Sequence, residues 1–182
     1  MSKAVTDLMN DHEAILSALN VFENILNKIS KEKKVDIDDL LGFVDFLREF
    51  SDKCHHGKEE GILFPAMIAC GIPDRGGPIG VMMADHIQAR GYIFNLLEAL
   101  EEPEDYGKFE KVGRSYIELL RVHIQKENNV LFPMAERAIS SEQLDSIYQA
   151  FSELEEKVIG HGRHDELHSF LDDLKLKYTD KN

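Results

Sequence analysis

Between Val5 and Ile29 the chain places Val5, Leu8, His12, Ile15, Leu19, Phe22, Leu26 and Ile29 at alternating steps of three and four residues. That is the period of one helix face packed into a bundle. Every member of the stripe is apolar except His12. The charged run Lys28–Asp36 (KISKEKKVD) breaks the pattern, and Asp36 or Asp38 can cap a second helix. Its inner stripe reads Leu40, Val44, Leu47, Ser51, His55, Glu59 and Ile62. The segment Cys70–Gly80 (CGIPDRGGPIG) is dense in Gly and Pro and reads as a loop. A third stripe follows in Ile79, Met82, His86, Ala89, Ile93, Leu96 and Leu100. After EEPEDYGK a fourth reads Phe109, Val112, Tyr116, Leu119, His123, Glu127, Val130 and Met134. Ser141 opens one more helix, broken near Gly160 and Gly162, and a last stretch carries Leu167, Phe170, Leu171 and Leu174. No segment sustains a period of two. The prediction is an all-α chain, an up-down four-helix bundle over about residues 2–139 with a C-terminal helical appendage over about 141–178. A length of 182 residues suits a single domain, 1–182.

Composition adds exclusions. The chain is 43% hydrophobic and 30% charged with a net charge of -13, which argues against nucleic acid and anionic membrane surfaces but not against cations. No apolar run approaches the roughly 20 residues of a membrane span, and the N-terminus shows no signal peptide. Cys54 and Cys70 are too few for a disulfide framework and lack C-x-x-C spacing. Cytoplasm is the expected compartment.

The two halves repeat. Met9–Ile15 (MNDHEAI) matches Met83–Ala89 (MADHIQA), and His55–Pro65 (HHGKEEGILFP) matches His123–Pro133 (HIQKENNVLFP). The lone histidines stand 74 residues apart, 12 to 86, and the paired ones 68 apart, 55 to 123. The longer lysine-rich link after the first helix accounts for the difference. Each half thus supplies one lone His and then one H-x-x-x-E. His56 and Glu60 form a second such pair, but only His55 and Glu59 keep the spacing to Leu-Phe-Pro.

Residues i and i+4 of a helix share a face, so an imidazole and a carboxylate can aim at one point. Imidazole suits iron, zinc, copper or nickel, and carboxylate adds charge and can bridge two ions. A single histidine on an apolar stripe is more often a core residue bonded to a carbonyl. Two glutamates on such stripes are harder to explain, because an unpaired carboxylate in a dry core is very costly. His12, His55, Glu59, His86, His123 and Glu127 are therefore the candidate metal ligands. Met82, Met83 and Met134 read as core filler. Tyr116, two turns before His123, either packs or hydrogen-bonds a ligand at the centre. Asp11 and Asp85 point about 100° from their neighbouring histidines, which favours surface charge over a supporting role.

These motifs, D-H-E at Asp11–Glu13, His55–Pro65, D-H at Asp85–His86 and His123–Pro133, resemble the hemerythrin-like HHE cation-binding family over roughly residues 5–138. The resemblance implies a four-helix bundle around a non-haem di-iron centre. His12 and His55 would ligate one iron, His86 and His123 the other, with Glu59 and Glu127 as bridges. The family's oxygen carriers have a further His one turn after the third-helix ligand, where this chain has Arg90. His56 and His164 are the candidates to replace it, and each reads equally well as a surface or helix-edge residue. The implied function is binding or sensing of dioxygen or a related small oxidant. The alternatives are an enzyme that removes peroxide or nitric oxide, or an iron donor for repair.

Overall fold

Helix α1 (Lys3–Glu32) carries the first stripe, with Val5, Leu8, Ile15, Leu19, Phe22, Leu26 and Ile29 all buried. The computed structural model describes residues 1–32, 35–101, 104–158, 160 and 162–178. The side chains of Glu32, His164 and Asp165 lie outside the description, as do Lys33, Lys34 and Pro103 of the two charged links. Among the described residues every regular element is helical. None of these helices is long and apolar enough to cross a membrane.

Asp36 caps α2 (Ile37–Phe46) by accepting from the Asp38 amide. The rod then continues through wider, π-helical turns at Leu47–His56 and Glu59–Leu63 into α3 (Phe64–Ala69). Backbone angles stay right-handed helical at Phe46, Gly57, Lys58, Leu63 and Phe64, so the rod is not interrupted. A loop with Gly71 and Gly76 at positive φ leads to α4 (Pro78–Ala99). Asp105 caps α5 (Tyr106–Lys126), which passes through a wide turn at Glu127–Leu131 into α6 (Phe132–Ala138).

The wide turns at Glu59–Leu63 and Glu127–Leu131 have a local cause. Pro65 and Pro133 lack the N–H that would close an α turn, and their rings crowd the carbonyls of Gly61 and Asn129. The Phe64 amide instead reaches the Glu59 carbonyl five residues back, and the Phe132 amide reaches that of Glu127. The extra residue shifts the buried stripe by one position. The expected inner residues Ile62 and Val130 are half-buried and exposed, while Leu63 and Leu131 take their places in the core.

A Ser140/Gln143 capping box starts α7 (Ser141–Val158). This helix lays Leu144, Ile147 and Phe151 against α1 and the wide-turn stretch of the second rod. Gly160 and Gly162, both at positive φ, break the helix before α8 (Arg163–Tyr178). Leu167, Leu171 and Leu174 of α8 pack on α1 and α2.

The buried apolar side chains form two separate clusters. One contains Ile15, Phe50, Ala89, Leu120 and Ile124, and the other Leu8, Leu63, Met82 and Leu131. On each long rod the residues between these markers are the polar ones of the inner stripe. A polar layer therefore cuts the core in two.

Candidate metal centre

The six residues His12, His55, Glu59, His86, His123 and Glu127 are brought together in that layer, each no more than 1% exposed. Two sets of four could each hold a cation: His12, His55, Glu59 and Glu127, and Glu59, His86, His123 and Glu127. Within each set the donor atoms lie within 4.8 Å of one another, and both glutamates belong to both sets. Glu127 Oε2 is 3.1 Å from Nε2 of both His12 and His123. Glu59 reaches His86 Nε2 at 3.4 Å and His55 Nε2 at 3.8 Å. Two of the wide-turn stretches begin at these glutamates, so the prolines that end Leu-Phe-Pro shape the backbone that presents them.

His56 also lies inside, 1% exposed, and forms a third group with His86 and His123. On an α-helix adjacent residues point about 100° apart. Turns closed by bonds five residues long rotate less per residue, and His55 and His56 both fit on the inner side. Glu59 belongs to both candidate sets, and His56 is buried rather than at the surface. His164 stands near the start of α8, and its side chain lies outside the described residues.

Among the described residues five imidazoles point inward, and each is held from behind through Nδ1. The oxygen partners are Asn128 for His12 at 2.8 Å, Asp11 for His55 at 3.3 Å and Asp52 for His56 at 3.2 Å. Glu60 supports His86 at 2.7 Å and Asp85 supports His123 at 3.3 Å. A carboxylate or an amide oxygen can only accept, so the proton belongs on Nδ1 and Nε2 is turned inward. The pattern follows the repeat: the residue after each glutamate (Glu60, Asn128) supports the lone His of the other half. The Asp before each lone His supports the paired His of its own half. This corrects the surface-charge reading of Asp11 and Asp85, which missed that a side chain aimed away from its own neighbour meets the adjacent rod. Phe64 and Phe132 of the two Leu-Phe-Pro motifs stack on His86 and His12, at 5.9 and 5.3 Å between centroids.

The supporting groups carry their own cations. Lys58, 1% exposed, reaches Asp7 at 2.9 Å, Asp11 at 3.0 Å and Glu155 at 3.5 Å. Lys126 reaches Asp85 at 2.8 Å, and Arg90 reaches both Asp52 and Glu60 at 2.7 Å. Tyr116 is fully buried in the apolar cluster with Ser51 beside its hydroxyl, and burial pushes that hydroxyl's pKa up.

The pocket draws positive charge. Burial opposes ionisation of Glu127, yet His12 and His123 outweigh it and hold the carboxyl well below the usual range. Burial likewise disfavours a charged His86, but Glu59 and Glu60 prevail and raise its pKa to about 9. His12 is also raised against its burial, chiefly by Glu127. His56 behaves oppositely: burial first, then the neighbouring imidazoles, keep it neutral. Nε2 of His12, His55 and His56 and all four carboxylate oxygens of Glu59 and Glu127 are buried without a hydrogen bond. Unmatched acceptors around one small volume fit cations, since leaving each such group unpaired would cost about 1–3 kcal/mol. Protons and metal ions compete for these positions.

A family model described as the hemerythrin HHE cation-binding domain matches residues 3–135. Comparison with curated proteins and with solved structures gives no match.

Proposed function

The chain belongs to the hemerythrin HHE cation-binding domain family, and from that premise we propose that it is a non-haem di-iron protein that binds dioxygen or a related small oxidant, for oxygen binding or sensing. In this reading His12 and His55 would hold one iron and His86 and His123 the other, with Glu59 and Glu127 shared between them. The observation that carries the reading is the sharing of both glutamates between the two candidate cation sets. A single ion stapling the bundle would need only one of them. The four long rods would run up and down around the pair, and the whole chain, 1–182, would act as one cytoplasmic domain.

Iron held at these positions would supply the redox chemistry by which a small oxidant such as dioxygen is bound. The chain's own residues do the rest. Five Nδ1 supports fix the imidazole planes, Phe64 and Phe132 wall off His86 and His12, and the two apolar clusters exclude water above and below. Two imidazoles and two shared carboxylates at each position would suit iron without filling its coordination, which would leave room for a small exogenous ligand.

The test is to load the protein with ferrous iron under argon and cycle it between air and argon. Binding or sensing predicts a visible absorption change that reverses over several cycles. Sustained consumption of peroxide or nitric oxide at substoichiometric protein would make it an enzyme instead. Ready transfer of the iron to an apo-acceptor would make it a donor.

A further inference from the structure

We infer that the outer face of α4 is the surface on which two copies of this chain pair, antiparallel about a two-fold axis. The inference does not depend on which metal the core holds. Ala84, Ile87, Gly91 and Phe94 follow one another at steps of three, four and three residues, and all four are exposed. They therefore form one stripe along the helix. Ile87 and Phe94 are each 65% exposed, while Met82, His86, Ala89 and Ile93 bury the opposite side of the same helix.

The order of sizes along the stripe fits a second copy. Small and large residues alternate, and the series is symmetric about position 89. Ala84 and Phe94 each lie five positions from it, and Ile87 and Gly91 two. A two-fold axis at that level sets Phe94 of each copy against Ala84 of the other. It also sets Ile87 of each copy against Gly91 of the other. Every large side chain then meets a small one, and the two helices can approach closely. A groove of about 500 Å³ lies beside Ala84, lined also by Phe64, Pro65, Ile68, Met83 and Ile87. Phe94 of the second copy fills it. Knob and recess stand on one chain at symmetric places, which is what an isologous pair needs.

Charge points the same way. Besides His86, the only acidic or basic side chains from 78 to 97 are Asp85 and Arg90. Asp85 is bound to Lys126, and Arg90 to Asp52 and Glu60. In a chain with a net charge of -13, this stripe lets two copies meet without setting like charges face to face.

Sedimentation velocity of the full chain tests this from about 1 to about 100 μM, where interfaces at the small end of the usual range assemble. The mass should rise with concentration from 20.8 kDa towards twice that value. Net charge opposes association, so pairing should tighten as salt is raised. Phe94→Gln removes two anchors from each pair and should weaken it at least about 30-fold. Gly91→Gln should do the same without disturbing the fold, because a Cβ at 91 meets nothing within 4 Å. Val122→Gln removes a 47% exposed apolar side chain from α5 and should change nothing. Ala84→Phe should abolish pairing, and adding Phe94→Ala should restore it by exchanging large and small partners. A wild-type chain that stays at 20.8 kDa throughout would overturn the pairing, whatever the variants do. An equal loss in Val122→Gln would overturn this face as its seat. An exchanged double variant that stays single would overturn the antiparallel register.

Discussion

Lys58 Nζ lies 3.0 Å from Asp11 Oδ2, and the same oxygen lies 3.3 Å from Nδ1 of His55. A buried ammonium therefore compensates the carboxylate that orients a candidate ligand. Removing it leaves Asp11 charged in a site that is largely closed to water. Lys58→Met should cost about 3–5 kcal/mol of stability in urea unfolding, the usual penalty for breaking a buried pair. Adding Asp11→Asn should return part of that loss, because the two changes share one interaction. A loss under about 1 kcal/mol in the single variant would show the lysine to be incidental.

Asp85 holds the equivalent place in the second half, between His123 and Lys126. Asp85→Asn keeps the shape but weakens the acceptor. Metal affinity should fall about 10-fold to 100-fold while the apoprotein's unfolding midpoint stays close to wild type. Competition with a chelator reads the first quantity and thermal unfolding the second. Equal affinity in variant and wild type would remove Asp85 from the metal centre.

Two helical glycines make a paired prediction about packing. A Cβ on Gly113 would stand 2.8 Å from Phe22 Cζ and 2.9 Å from Leu26 Cδ1, where α5 crosses α1. Phe22 cannot easily yield, since it is fully buried and stacked on Phe43. Gly91 is exposed on α4, and a Cβ there meets nothing within 4 Å. Gly113→Ala should destabilise, because overpacking of about 1–3 kcal/mol outweighs its gain in helix propensity. Gly91→Ala should stabilise by about 0.5–1 kcal/mol. Differential scanning calorimetry would show opposite shifts. Shifts of the same sign would contradict the close approach at Gly113.

The two thiols should differ in reactivity. Cys54 is 1% exposed, and burial pushes its pKa up to about 12, with Lys58 only partly opposing. Almost no thiolate exists there near neutral pH. Cys70, at the end of α3, is half-buried. Iodoacetamide should label Cys70 in the native protein and Cys54 only after unfolding, as peptide mass spectrometry would report. Rapid native labelling of Cys54 would mean that the wall behind His55 opens.

The repeat made the six candidate ligands legible, because a His and a Glu one turn apart before Leu-Phe-Pro occur twice at matching depth. The all-helical architecture was legible for a similar reason: four stripes of period three-to-four outlast any local ambiguity. What lay outside the sequence was whatever depends on the pitch of a turn or on a neighbouring rod. His56 is one position out of register, and only the wider turns bring it inside. The wide turns at Glu59–Leu63 and Glu127–Leu131 likewise moved burial from Ile62 to Leu63 and from Val130 to Leu131. For that shift Pro65 and Pro133 were the available signal, since each removes the amide an α turn would need; no proline marks the turns at Leu47–His56. Asp11 and Asp85 were judged by their angle to the adjacent histidine, whereas their partners sit across an interface. Arg90 read as a missing ligand, and its link to Asp52 and Glu60 joins residues 38 and 30 positions away.

Everything turns on whether two cations occupy the space between Glu59 and Glu127. Metal analysis of protein purified without added metal, run beside the Glu59→Gln/Glu127→Gln double variant, addresses that most directly. Wild-type protein should hold close to two irons per chain and show visible charge-transfer bands that dithionite bleaches, and the double variant should lose both. One zinc per chain with no visible band, or a double variant that keeps the wild-type metal content, would contradict it.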